Sequence, residues 1–318
     1  MIDREPLEPP GPDARVEPGL TSLLGADAAR ALVDDAWPDR ALSLAPAAAR
    51  LAAAVALVPP AALPLLQAAA WKEIRIFLPD DRGAIASCLV SPQQAWKLLR
   101  RGVTLELYHM ERDQPGLGRL AGAVEHELGL PAGACEVQAF VSRAGRGFPL
   151  HFDKTEVLTV QLAGRKRWRI GEPDVAYPTV GSEAGCSIKG EMRDYWPADL
   201  VVDQEHRPRG ERELVLEPGA ALFLPRGHWH RTETVDDESI SLALVLSTPT
   251  RADLLLAELR RRILRQPAWR ATCAPGRAAP SAHRRASASA IAELIAALPA
   301  EIDRIEAGSL AGADTPEE

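Results

Sequence analysis

The segment "FPLHFDKTEVLTVQLAGRKRWRI", residues 148–170, sets His151 and Asp153 two positions apart. On an extended chain, residues i and i+2 leave the same face, so this imidazole and this carboxylate point together. Such a pair is either an accident of surface chemistry or two teeth of a metal claw, and a third donor elsewhere decides between them. The segment "EPGAALFLPRGHWHRTET", residues 217–234, supplies that donor. There Pro225 and Gly227 mark a turn, and His228 and His230 follow at the start of the next strand-like run. Two imidazoles and one carboxylate on one face are the donor set of non-haem Fe(II) sites, which leave three positions open for substrate and oxygen. His228 and His230 are themselves two apart, so spacing alone leaves either as the third tooth.

The elements that must carry these residues read as follows. "WKEIRIFLPD" alternates apolar and polar residues, a strand signal that Phe77 interrupts. "SPQQAWKLLRRG" is a helix with Ser91 as its cap, Pro92 at its first position, Gln94 completing a capping box and Gly102 to end it. "VTLELYHME" reads as a strand and "GLGRLAGAVEHELGL" as a helix. From Cys135 to Thr248 the texture is β: "CEVQAFVS", "EVLTVQLAG", "RKRWRI", "RELVLE", "ALFLP" and "SISLALVLST" are short strands parted by Gly, Pro or charged turns, the mark of a sandwich or barrel. Thr250 and Asp253 form a capping box for the helix "RADLLLAELRRRIL", and "SASAIAELIAALPAEIDRIEA" is a second amphipathic helix. These two pack on the β domain or on a second subunit. The expected class is mainly β with helices (α+β), with a leader over 1–18, a main domain over 19–249, a helical extension over 250–308 and a tail over 309–318.

Composition narrows the setting. The chain has 318 residues, 46% hydrophobic and 25% charged, ordinary for a globular protein. A net charge of −7 argues against a protein whose main business is gripping nucleic acid. Four scattered cysteines form no C-x-x-C pair, so they read as reduced thiols rather than zinc ligands or a disulfide framework. The acidic, proline-rich N-terminus has no apolar signal core, and Pro59, Pro60 and Pro64 interrupt the uncharged stretch from Leu51 to Leu66. A cytoplasmic protein, with no membrane partner, is the simplest expectation.

"LHFDKTEVLTVQLAGRKRWRI" followed by "LFLPRGHWH" resembles the JmjC-type, cupin-like 2-oxoglutarate oxygenases, in particular the ribosomal oxygenases. "LVDDAWPDRALSL" and "VQAFVSRAGRGFPLHFD" extend the likeness upstream, over roughly residues 20–250. H-x-D alone is a weak signal; the ordered set with V-x-x-x-Q-L-x-G-R-K-R-W and L-P-x-G-x-x-H is specific. The resemblance implies a double-stranded β-helix (jelly roll). It places metal ligands at His151, Asp153 and His230, with His228 near the pocket rim. It places a cosubstrate cation at Lys166, on the strand after the first ligand strand; Arg165 and Arg167 then point outward by alternation. A solvated basic hairpin edge is the plain alternative for that cluster. Ser241 matches a polar pocket position, and Phe140 stands where some relatives have a cosubstrate-holding tyrosine, with Ser142 or Gln138 as compensating groups. Trp168 reads as a hairpin packing residue and Trp229 as a wall of the site, whereas His109, His126, His206 and His283 read as ordinary surface or core residues.

The implied activity is Fe(II)- and 2-oxoglutarate-dependent hydroxylation with O2, on an amino-acid side chain of a protein or peptide. A peptide or small natural product in biosynthesis is the second reading, because the residues after Thr250 are too few for both the dimerisation helices and the winged-helix module of ribosomal oxygenases. Those C-terminal helices suggest a homodimer. A non-catalytic cupin-like binder, or a cupin enzyme that ignores 2-oxoglutarate, would keep the fold and dispense with Lys166.

Overall fold

The computed structural model describes residues 18–68, 71–79, 85–186, 190–203, 205–273 and 281–306. Almost all of the leader and all of the tail expected from sequence lie outside the described residues, as do positions 307 and 308 of the extension. The chain divides into two compact units, Met1–Thr248 and Pro249–Glu318.

Among the described residues, thirteen strands build the first unit: β1 (Leu42–Leu44), β2 (Ile74–Pro79), β3 (Ile85–Val90), β4 (Leu105–Leu107), β5 (Cys135–Arg143), β6 (His151–Phe152), β7 (Glu156–Ala163), β8 (Lys166–Gly171), β9 (Ser182–Glu183), β10 (Arg212–Leu216), β11 (Ala221–Leu224), β12 (Trp229–Thr234) and β13 (Glu238–Leu246). They form an eight-stranded sheet in the order β1-β11-β7-β13-β5-β4-β2-β3 and a five-stranded sheet in the order β10-β8-β12-β6-β9. Neighbouring strands run antiparallel throughout, and successive strands alternate between the sheets from β5 to β8 and again from β10 to β13, as in a jelly roll.

Alternation along each strand explains where core and site fall. On β5, Val137, Ala139 and Val141 join the main apolar core with Leu158 and Val160 of β7 and Leu242 and Leu244 of β13. Leu32, Leu65, Leu99, Leu117, Leu120 and Val124 from the helical segments complete that core, so the helices cover the outer face of the larger sheet. The intervening residues Gln138, Phe140, Val157, Thr159 and Val245 face a cavity instead. Period-two patterning thus separates a packed outer face from a functional inner one. Phe77, which breaks the alternation of β2, also lines that cavity, where its ring meets Phe148 edge-on at 4.9 Å.

The helix Pro92–Leu99 starts with the capping box read from sequence: the Ser91 hydroxyl accepts from the Gln94 N–H at 3.3 Å, and the Gln94 side-chain oxygen accepts from the Ser91 N–H at 2.9 Å. "VTLELYHME" is corrected. Only Leu105–Leu107 is strand; His109 turns left-handed at φ 54° and a helical turn begins at Met110. The reason is tertiary, since Glu111 on that turn accepts the Val137 N–H of β5 at 2.8 Å and ends the strand early.

In the second unit, the helix Arg251–Ile263 carries the Thr250–Asp253 capping box, and the helix Ser281–Ile302 begins six residues before the stretch read from sequence. Gln266 donates to Glu301 at 2.8 Å within this unit.

Candidate metal centre

β6 and β12 lie side by side, and His230 is the register partner of His151. Their rings are 4.1 Å apart, centroid to centroid. Asp153 follows directly after β6; its backbone carbonyl accepts the Gly227 N–H at 2.8 Å, which ties it to the turn preceding β12. Its carboxylate Oδ2 lies 3.5 Å from His230 Nε2. One donor atom from each of His151, Asp153 and His230 lies within 4.8 Å of the others, and these three are the group that converges this way among the described residues.

Both imidazoles are oriented by the backbone. His151 Nδ1 is 2.8 Å from the Pro149 carbonyl, and His230 Nδ1 is 3.0 Å from the His228 carbonyl. A carbonyl only accepts, so each Nδ1 carries the proton and each Nε2 keeps its lone pair free. Burial, reinforced by the neighbouring His151, pushes the His230 pKa down to about 4, so its ring stays neutral at ordinary pH. Two pre-oriented imidazoles and one carboxylate fit a divalent cation. His228 is not part of this group: its Nδ1 is buried without a partner, and only its carbonyl serves the site.

The triad opens into a cavity of about 420 Å³ between the sheets. Lys166, the first residue of β8, lines it at 2% exposure. Burial lowers its pKa to about 8, and among the described residues no carboxylate lies within 4 Å of its ammonium group. The Phe140 ring centroid, at 5.7 Å, faces it. Alternation sends its neighbours outward: Arg165 binds Asp236, Arg167 pairs with Glu213 and Glu233, and Arg169 binds Glu213. The basic knot therefore resolves into one buried cation and a surface ladder of ion pairs.

Residues 131–254 match the family model described as the JmjC domain. Over those residues the chain is similar to a JmjC domain. It is 31% identical over 191 residues to the uncharacterized protein YxbC of Bacillus subtilis (strain 168), covering 58% of this chain and 56% of that protein. It is 29% identical over 150 residues to ribosomal oxygenase 2 of Rattus norvegicus, covering 47% of this chain and 28% of that protein. The match to ribosomal oxygenase 1 of Bos taurus, 30% over 158 residues, covers 49% and 21%. The chain thus spans between about a fifth and just over half of these relatives' lengths. The X-ray structure of E. coli ycfD superposes with a TM-score of 0.51 at 16% identity, covering 86% of this chain and 68% of that one, a likeness of fold.

Within the matched residues the two serines read from sequence stand apart from the cavity lining. The Ser142 hydroxyl is bonded to Thr234 Oγ1 at 2.6 Å, and the buried Ser241 hydroxyl has no partner. Gln138, Phe140 and Thr159 line the cavity that Lys166 also lines, with the Phe140 ring facing its ammonium group. The two tryptophans differ from their sequence reading. Trp168 lines the cavity and stacks on His230 at 5.7 Å and 24°. Trp229 is buried behind the site with Phe152 and Met192, and its Nε1 donates to Asp174 at 2.7 Å. His206 also donates to Asp174, at 2.8 Å. Sequence reasoning missed Glu106, Arg75, Thr159 and Thr232 in the lining. Each is a polar residue at an inward strand position, a signal that emerges only when the inward face is known.

Proposed function

We propose that this chain is an Fe(II)- and 2-oxoglutarate-dependent oxygenase that hydroxylates an amino-acid side chain of a protein or peptide. One observation carries the reading: a two-histidine, one-carboxylate group shares a cavity with a buried lysine that, among the described residues, no carboxylate neutralises. The relatives named ribosomal oxygenase support a protein substrate. His151, Asp153 and His230 would hold the iron through both Nε2 atoms and one carboxylate oxygen. When bound, iron and 2-oxoglutarate supply the oxidising chemistry, in which O2 is consumed, 2-oxoglutarate loses CO2 to become succinate, and one oxygen atom enters a substrate C–H bond.

The chain's own contribution is positional and electrostatic. The Lys166 ammonium offers the far carboxylate of 2-oxoglutarate a charge-assisted bond in a dry pocket, where it is stronger than in water. The backbone carbonyls of Pro149 and His228 keep both imidazoles in the ligating tautomer. Trp168, Leu222, Leu224 and Val157 wall the inner end with apolar surface and exclude water from it.

A cytoplasmic setting is part of this reading; no helix of the described residues is long and apolar enough to cross a membrane, and none of the four cysteines is in a disulfide. Exposed Leu254, Leu255, Leu256, Ile291 and Ile295 support a homodimer formed through the C-terminal helices, measurable by light scattering. The activity is tested by supplying Fe(II), 2-oxoglutarate and O2 and following succinate, with mass spectrometry of candidate peptides for a gain of one oxygen atom. Succinate release that depends on the metal is the expected result. Protein that binds metal but neither binds nor consumes 2-oxoglutarate would overturn the reading in favour of a binder or a cosubstrate-free enzyme.

A further inference from the structure

The turn that leads into β12 carries a charged side chain that neither the metal nor the cosubstrate uses. Arg226 stands between Pro225 and Gly227, at a turn where an arginine would ordinarily reach into water. Its side chain is instead 10% exposed, and it meets Glu156, the first residue of β7, whose side chain is 3% exposed. The contact is bidentate: Nε donates to one carboxylate oxygen of Glu156, and Nη2 donates to the other at 3.2 Å. Nη2 also donates to the Thr248 carbonyl at 2.6 Å, and the Thr248 hydroxyl donates to Glu156 at 2.7 Å. One buried ion pair thus ties the turn before β12 to the start of β7 and to the chain just past β13.

That place in the fold matters because the three donors of the triad are not held alike. His151 and His230 are register partners on β6 and β12, so strand pairing sets their separation. Asp153 lies past the end of β6, in the connection 153–155 that leads to β7, and its side chain is 41% exposed. Two ties hold this connection to the turn before β12. The Gly227 N–H donates to the Asp153 carbonyl at 2.8 Å, and Arg226, one position earlier on the turn, grips Glu156 at the far end of the connection. A single hydrogen bond would leave the connection free to pivot, and the second tie removes that freedom. The same turn reaches the third donor, because the His228 carbonyl orients the His230 ring.

We propose that Arg226 is a positioning residue of the metal centre, which through its bonds to Glu156 and Thr248 fixes the Asp153 carboxylate relative to His151 and His230. The inference rests on the metal-binding part of the oxygenase reading and deepens it. A buried ion pair contributes little net stability compared with apolar side chains of similar volume, whereas its directed bonds constrain geometry. The guanidinium is suited to this because its planar fork meets both carboxylate oxygens and a carbonyl at once, which the point charge of a lysine does not reproduce. A ligand on a short connection needs such support, since groups that orient a ligand govern metal affinity nearly as much as the ligand itself.

The test uses the full chain with Mn(II) alone as the probe, followed by electron paramagnetic resonance, and a thermal melt of every variant. Arg226→Met combined with Glu156→Leu removes both charges together and keeps the volume, so its melt should stay close to that of the unaltered chain. Arg226→Lys keeps the charge and loses the fork. The expected result is about tenfold or greater loss of Mn(II) affinity in the double variant, the scale of losing a group that orients a ligand, and a smaller loss in Arg226→Lys. In both, the bound Mn(II) spectrum should show a changed zero-field splitting. A loss of stability alone does not move that spectrum, because metal on the native fraction keeps its ligand geometry. Weaker binding with an unchanged spectrum would therefore overturn the proposal and assign the pair to stability. Unchanged affinity and spectrum in either variant would overturn it as well, and if the double variant does not fold, Arg226→Lys decides. Failure of the unaltered chain to bind Mn(II) is a different result, which sinks the metal-centre reading and this inference with it.

Discussion

His228 and His230 show how little separates a ligand from a bystander. Both are histidines at the mouth of one strand, yet register gives His230 the place opposite His151 and leaves His228 to offer only its carbonyl. His230→Ala should therefore abolish Mn(II) binding, followed by electron paramagnetic resonance, whereas His228→Ala should leave it within a few-fold. Equal losses would show that the backbone account of the pair is wrong. Lys166 makes a second case. Its folded pKa of about 8 is below the ordinary 10.5, so the native state pays to keep the charge buried. The sign follows from linkage: that penalty is complete below pH 8 and is relieved as pH rises from about 8 to 10.5, where only the unfolded chain still holds the proton. Lys166→Met should raise stability at pH 7 by on the order of 2–3 kcal/mol, with a smaller gain at pH 10. The same change should weaken 2-oxoglutarate binding by roughly 1.5–3 kcal/mol, the scale of a charged hydrogen bond. Thermal melts and calorimetry on one variant check both, and a destabilised Met variant would contradict the account. These residues were legible because H-x-D and the basic hairpin carry their chemistry in the local sequence. Glu106 was not: "VTLEL" shows Thr104 and Glu106 opposite Val103, Leu105 and Leu107, but only pairing with β5 tells that their face looks into a cavity rather than into water.

At the scale of elements, the hairpin from β7 to β8 sets the register that buries Lys166. Gly164 makes its turn at φ 62°, and a Cβ there would come within 1.9 Å of the Glu238 carbonyl oxygen. Both conditions exclude a side chain, because an L-residue resists that backbone region and the obstacle is main chain. Gly164→Ala should cost at least ~2 kcal/mol of stability and loosen 2-oxoglutarate binding through misplacement of β8, which urea denaturation and calorimetry would register. An unchanged midpoint would mean that the hairpin tolerates another turn. Long strands such as β5, β7 and β13 were readable from their apolar runs and flanking turns. The excursion between β8 and β10 was not. Its β9 is two residues long, and what gives it structure is pairing with β6 and burial of Met192 against Phe152 and Trp229, none of which leaves a periodic trace in "VGSEAGCSIKGEMRDYW".

For the whole molecule, the site is a coupling between distant parts of one folded unit. His151, Asp153 and His230 belong to the smaller sheet and the turns beside it, Lys166 begins another strand of that sheet, and the larger sheet supplies the opposite wall; every one of these residues lies within Met1–Thr248. An unfolded chain cannot bring them together, since 77 positions separate Asp153 from His230 in sequence numbering and closing such a loop has an entropic cost. On the proposed reading, metal and cosubstrate bind the native state and stabilise it by mass action, by about 2.7 kcal/mol at a hundredfold excess over the dissociation constant. For a domain of this size, that corresponds to a rise in Tm of roughly 5–10 °C. Mn(II) with 2-oxoglutarate should produce that shift in differential scanning calorimetry. Asp153→Ala should remove it, because its neutral residue leaves two imidazoles to hold the ion without a carboxylate. Lys166→Met should keep the part of the shift due to metal and lose the part due to 2-oxoglutarate, since the two ligands are held by different side chains. A shift of the same size in both variants would mean that the ligands stabilise the chain from somewhere other than this cavity.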